Sequence, residues 1–235
     1  YLRSSTAIIV PIGSTEQHGP NGLIGTDAIC PEAVAHEMAR RITVLIGPTL
    51  AVGMAQHHLA FPGSIALRPS TLLALVRDVT ESLLCQGFTH VYFLNGHGGN
   101  IATVTAAFSE IWSSASFAGS DTPAPRLRLR NWYTGRRVGA LSRELFGGAE
   151  GSHATPSEVS LSWYAHPEAV KDVTLSPERA ATGQIRDAAD YRRCFPDGRI
   201  GSNPGLASVA HGERILEAAV ADVLEDFEAF TAPDN

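Results

Sequence analysis

Two short runs constrain this chain more than any other feature. Ala7-Ile8-Ile9-Val10 and His90-Val91-Tyr92-Phe93-Leu94 are apolar without polar alternation, and a polar, glycine-rich stretch follows each of them closely. Strands of this kind are buried, as in a layered α/β structure with a mostly parallel sheet. The segments around them carry helical periodicity. Residues 70–87 are the clearest helix, with Leu72, Leu73, Val76, Val79, Leu83 and Leu84 at helical spacing and Gly87 as the stop. Pro31 suits the first position of a helix through residue 41, with Val34, Ala35 and Met38 on its inner face. Further strands are expected over residues 42–50 and 126–133, and further helices over 101–112, 156–164 and 206–230, the last with acidic residues outside. Residues 113–125 and 183–205 read as loops inside one domain spanning 1–235. The expected fold is a three-layer α/β/α sandwich.

Composition narrows the function classes. The 235 residues are 44% hydrophobic, enough for a real core, and the 18 Lys and Arg are scattered through a chain of net charge −6. Nucleic-acid binding is disfavoured on that ground. Cys30, Cys85 and Cys194 form no CxxC pair, which fits a reducing cytoplasmic setting rather than a disulfide framework or a zinc knuckle. No apolar run reaches the roughly 18 residues of a membrane helix. The sequence opens on Tyr-Leu-Arg, so the start of the native chain stays open.

The polar stretches fall where strands have just ended, the place where open α/β sheets bind ligands. In "PIGSTEQHGPNGLIGTDAI", Glu16 and His18 are two apart and point to one side of an extended segment, and Asp27 returns after a glycine-rich bend. Together they are a ligand set suited to Zn²⁺, Mn²⁺ or Fe²⁺. The plainer alternative makes Glu16 and His18 solvated loop residues and Asp27 a helix cap. "NGHGGN" follows the second strand with His97 among Gly96, Gly98 and Gly99. A phosphate cradle is its rival reading, but neither GxGxxG nor GxxxxGK[ST] occurs, and a central His suits a metal better. In "GSHATPSEVS", His153 precedes a Pro-started helix whose first turn holds Glu158; alone, this reads more readily as a capped helix entry. His57 and His58 sit in a loop and are candidates to line a pocket mouth, whereas His36, His90 and His166 belong to helices or a strand end.

"GSTEQHGP" with "TD", then "FPGSIALRPSTL", "NGHGGN", "HATPSEVS" and "DGRIGSNPGLAS" together resemble the creatininase family of metal-dependent amidohydrolases, in order from residue 8 to about residue 165 and again near the end. The resemblance implies a two-metal site, with Zn²⁺ first and Mn²⁺ or Fe²⁺ as alternatives, held by Glu16, His18, Asp27 and His97, with Asp27 bridging. His153 would be the proton-transfer residue. In creatininase proper a Glu ligand stands two residues after the loop His, where this chain has Gly99; Glu158 is the carboxylate left to serve. Backbone N–H groups of Gly98 and Gly99 would face an oxyanion or a substrate carboxylate. The expected activity is hydrolysis of a C–N bond in a small cyclic amide, formamide or related small molecule. A peptide bond, a strained cyclic ketone, or metal or phosphate binding without catalysis are the alternatives. The family also implies a homohexamer.

Overall fold

The computed structural model describes residues 1–119 and 123–233. Four strands, β1 (Ala7–Ile12), β2 (Leu45–Ile46), β3 (His90–Asn95) and β4 (Arg126–Asn131), form one parallel sheet in the order β2-β1-β3-β4. β1 and β3 pair along their whole length, from Ala7 opposite His90 to Ile12 opposite Asn95. The described residues form seven α-helices: α1 (Thr26–Arg41), α2 (Pro69–Cys85), α3 (Ile101–Phe117), α4 (Arg136–Phe146), α5 (Pro156–Ala165), α6 (Ala188–Cys194) and α7 (Val209–Thr231). Strand period 2 divides the core between two faces. Ile8, Val10, Ile12, Val91 and Phe93 pack with α2 and α3, while Ile9, Tyr92 and Leu94 pack with α1, α4, α5 and α7. The sandwich is therefore three-layered, as the unbroken apolar runs require. Among the described residues no helix is long and apolar enough to cross a membrane.

Several boundaries differ from expectation, each for a physical reason. The strand expected over 42–50 shrinks to Leu45–Ile46 plus a single bridge between Leu50 and Ile12, because Pro48 has no N–H for the ladder. α3 runs on to Phe117, into the expected linker, whose residues 120–122 lie outside the described residues. β4 stops at Asn131, and Trp132 and Tyr133 turn into a short 3₁₀ segment. Residues 183–205 hold α6 as well as loop. On α7 the acidic residues are not all outside: Asp222 is buried and accepts from the backbone N–H of Arg137 and Val138 at the start of α4.

The most consequential difference is at α1. It begins at Thr26, five residues before Pro31, so that Pro31 lies inside the helix and Asp27 in its first turn. Pro31 has no N–H to give the Asp27 carbonyl. The loops leaving β1 and β3 press against that carbonyl, and a Cβ at Gly13 or Gly96 would overlap it. Absence of side chains at these two positions brings the Asp27 backbone between the ends of β1 and β3.

Candidate metal centre

In a β2-β1-β3-β4 sheet the chain leaves β1 toward one side and reaches β3 on the other, so the crevice beyond the carboxyl ends of β1 and β3 is the switch point where ligands bind. Glu16 and His18 follow β1, His97 follows β3, and Asp27 enters between them on α1. The "NGHGGN" loop is tied by its own asparagines. Asn95 donates to the His97 carbonyl at 2.7 Å and accepts from His97 N at 3.2 Å; Asn100 donates to the Gly13 carbonyl at 2.9 Å and accepts from Met54 N at 3.0 Å.

The four side chains converge, and all are buried. His18 Nε2 lies 3.1 Å from Asp27 Oδ1, and His97 Nδ1 lies 2.9 Å from Asp27 Oδ2 and 3.4 Å from Glu16 Oε1. Asp27 thus turns one oxygen to each imidazole. The reading of Asp27 as a helix cap is overturned: Gly25 is the N-cap of α1, with no side-chain cap bond. Glu16 and His18 are not solvated either; Glu16 Oε2 accepts from Ser14 Oγ at 2.8 Å, and Oε1 faces the imidazoles.

Backbone carbonyls decide where the ring protons sit, since a carbonyl oxygen can only accept. His97 Nε2 is 2.9 Å from the Met54 carbonyl and His18 Nδ1 is 3.2 Å from the Glu16 carbonyl. Each ring therefore donates outward, and its other nitrogen, the one that a cation would take, is turned toward Asp27. Neither Glu16 Oε1 nor Asp27 Oδ2 has an aligned hydrogen-bond partner, although both are buried. Imidazole nitrogens turned to buried carboxylates, with the outer N–H anchored to carbonyls, are the pattern of metal-ligating histidine. Glu16, His18 and Asp27 each offer one ligand atom, all within 4.8 Å of one another, and so do His18, His153 and Glu158. The residues fit a divalent cation.

Electrostatics agree. Burial opposes a charge on His18, yet Asp27 and the other carboxylates prevail and push it up to about 10; His97 rises to about 9 against burial through Glu16 and Asp27. Asp27 itself is drawn far below the usual carboxylate range, the two imidazoles overcoming its burial. Glu16 is raised, by burial first and then by the charge of Asp27. Without metal the cluster keeps two protons that a cation would displace.

Glu158 is placed for both tasks weighed for it. Its carboxylate closes a capping box with Thr155 at the start of α5, and its Oε1 stands 3.9 Å from His18 Nε2. Burial, with the charge of Asp27 adding, pushes it up to about 7. Position 99 has no room for a carboxylate: a Cβ there would overlap His97 Nε2 and stand 2.7 Å from the Met54 carbonyl. His153 donates from Nε2 to the Gln17 carbonyl at 2.8 Å and turns Nδ1 toward Glu16 Oε1 at 3.7 Å; burial, followed by the charges of His18 and His58, holds it well below its ordinary value.

Glu16, Asp27, His97, His153 and Glu158 line one cavity of about 610 Å³, with His57, His58, Gly98 and Gly99 in its wall. Burial lowers His57 to about 4 and His58 to about 3, with neighbouring imidazole charge adding in each case. The cavity extends past Trp132 and Tyr133 to α4, where Val138, Ser142 and Arg143 line it, and to Glu150. Gln17, Trp132, Tyr133, Glu150 and Tyr191 are site residues that sequence reasoning missed. Gln17 stood inside a recognised motif; the others carried no motif, and Tyr191 sits on the seven-residue α6 in a segment read as loop.

Fold and cluster define an α/β/α protein with a buried His/carboxylate cluster that could hold a metal at the sheet's switch point. The chain belongs to the creatininase family: the family's sequence model, described as creatinine amidohydrolase, matches residues 1–227. It is 33% identical to a mycofactocin precursor peptide peptidase of Mycobacterium ulcerans (strain Agy99), over 97% of this chain and 88% of that one. It is 26% identical to a 3-dehydro-scyllo-inosose hydrolase of Thermotoga maritima, over 99% and 82%. A creatininase variant solved as its Zn–Zn type superposes with a TM-score of 0.83 at 24% identity, covering 98% of this chain and 93% of that one.

Proposed function

We propose that this chain is a metal-dependent amidohydrolase that cuts a C–N amide bond in a peptide-like substrate. The observation that carries the metal reading is the pair of carbonyl-anchored imidazoles whose inner nitrogens, His18 Nε2 and His97 Nδ1, face the two oxygens of Asp27. Asp27 would be shared by two ions, with Glu16 and His97 on one side and His18 and Glu158 on the other, and with Zn²⁺ the first choice. Divalent ions held there supply Lewis acidity toward a carbonyl oxygen and acidify bound water. The rest is done by this chain's own side chains. His153, neutral and anchored through Nε2, takes or gives a proton at Nδ1 and so serves the leaving nitrogen. Trp132, Tyr133 and Val138 supply an apolar wall for the acyl or amine portion, and the loop of Gly98 and Gly99 closes the side nearest His97.

Two observations favour a peptide-like substrate over the small cyclic amide that the sequence suggested first. A cavity of about 610 Å³ is of the size that holds drug-sized ligands, and it runs on from the cluster to α4. The relative that is 33% identical across nearly the whole chain is a peptidase. A phosphate site is disfavoured because Glu16, Asp27 and Glu158 would repel the anion. Metal-loaded protein should be offered short peptides, lactams and formamides, with mass spectrometry for C–N cleavage. Peptide cleavage that needs the metal is expected. Failure to take up metal, or turnover of lactams and formamides alone, would overturn the reading.

A further inference from the structure

Gln17 lies between Glu16 and His18, yet its side chain reaches elsewhere. Its Oε1 accepts from Gly19 N at 2.8 Å, which fixes the orientation of the amide. The NH₂ group therefore faces His58 Nδ1 at 3.0 Å, the Gly198 carbonyl and His153 Nε2, each at 3.1 Å, and the Tyr191 hydroxyl at 3.2 Å. Tyr191 spends its own O–H on the Gly198 carbonyl at 2.7 Å. An amide nitrogen has no lone pair with which to accept. Of the two imidazole nitrogens beside it, His153 Nε2 has the Gln17 carbonyl to donate to at 2.8 Å, so His58 Nδ1 is the acceptor, and the His58 ring proton sits on Nε2, 3.0 Å from Glu16 Oε1.

His58 is thus the reverse of its neighbours. His18, His97 and His153 donate outward to carbonyls and so leave the inner nitrogen free to bind a cation once deprotonated, whereas His58 accepts outside and keeps its one ring proton on the inner nitrogen. The reversal matters because Glu16, His58 and His153 place one ligand atom each within 4.8 Å of one another, so that by distance alone His58 could be a ligand. We propose that the Gln17 amide is a positioning group that holds the His58 ring proton on Nε2 and so keeps His58 out of the metal's coordination sphere. The consequence is an open position. Metal sites closed by protein ligands are structural, and those that leave a place for water or substrate are catalytic. This inference rests on the metal reading of the proposed function.

Gln17→Glu tests it. A carboxylate in place of the NH₂ group accepts from His58 Nδ1, moving the ring proton and baring Nε2 toward the cluster. In zinc-loaded wild type, ¹⁵N imidazole spectra should show His58 protonated at Nε2; in the variant the proton should move to Nδ1. Zinc release to a chelator should then slow by about tenfold, the scale on which outer-shell partners act, and kcat should fall with KM unchanged. A second substitution, His58→Phe, should return the release rate to the wild-type value, which general damage to the fold would not do. Gln17→Met, which removes the donor without adding charge, serves if Gln17→Glu does not fold, and slower release is expected there too. Wild-type His58 bound to zinc through Nε2, or release unslowed in the variant that folds, overturns the inference. If zinc-loaded wild type hydrolyses no amide, the proposed activity falls, and the spectra and release rates still decide the role of Gln17.

Discussion

Replacing Glu158 by Gln separates the capping task of its carboxylate from the proposed one as a metal ligand. Toward α5 it is the partner in a capping box: Thr155 Oγ1 accepts from Glu158 N at 3.2 Å, and Thr155 N donates to Glu158 Oε1 at 2.6 Å. Gln serves in that position as well as Glu does, so folding of the metal-free protein loses at most the dipole complement, about 0.3–1 kcal/mol. Burial beside Asp27 already disfavours the charged form there, which reduces even that loss. Toward His18 the neutral amide is a far poorer ligand. A loss of about 10–100-fold in metal affinity, the range for weaker outer-shell changes and hence a lower bound for a ligand, is about 1.4–2.7 kcal/mol. At saturating metal that difference appears as lost linked stability. For a chain of this size 1 kcal/mol moves Tm by about 2–4 °C, so the metal-induced rise in Tm should shrink by about 3–10 °C, with the metal-free Tm lowered by less than about 4 °C. Calorimetry with and without zinc, together with a zinc titration, measures both. An undiminished rise in Tm with two tight sites surviving would refute the assignment of Glu158 as a ligand.

Asp27→Asn should lower metal content more than Glu158→Gln does, because a bridging carboxylate serves both ions; equal and full retention in elemental analysis counts against the bridge. His153→Gln should keep its metal and lose about 10²–10⁴-fold in kcat, the usual worth of a positioned acid–base group; an unchanged kcat removes His153 from the reaction. In the metal-free protein His18 and His97 are raised to about 10 and 9, so both are protonated at pH 7.5 and lose their protons only above it. Metal addition in weak buffer at that pH should therefore release about two protons per chain, and metal affinity should climb as pH rises toward 9; uptake without proton release contradicts the ligand set. Gly99→Ala should displace the His97 ring, costing about 1–3 kcal/mol in overpacking along with metal affinity, and a variant with wild-type zinc affinity argues against the steric account of position 99.

Much of the frame was legible because its signals are local. Continuous apolarity marked β1 and β3, glycines marked their exits, and the ligand candidates lay in those exits. What escaped depends on distant partners. α4 opens after Gly135 with no side-chain cap of its own; Asp222, on α7 and some 85 positions away, accepts its first N–H groups. No window of sequence around residue 136 contains that cap. Pro31 misled for a related reason. A proline at a helix start is the common case, but here the carbonyl that it leaves unbonded belongs to Asp27 and is wedged between two glycines that follow other strands.

The same distinction runs through the site itself. Which residues could bind metal is written in their types, but what each imidazole does is decided by the atom behind it: the carbonyls of Met54, Glu16 and Gln17 behind His97, His18 and His153, and the amide of Gln17 behind His58. A main-chain carbonyl leaves no mark in residue identity, so a motif match carries over the ligands without their protonation. The Gly99 departure follows the same logic. Because the Met54 carbonyl must reach His97 Nε2, the space beside that ring is taken, and a carboxylate can approach the cluster only from another element. Glu158 comes from the start of α5, where the capping box already fixes its direction, so one local helix-start signal both caps the helix and aims a carboxylate at His18.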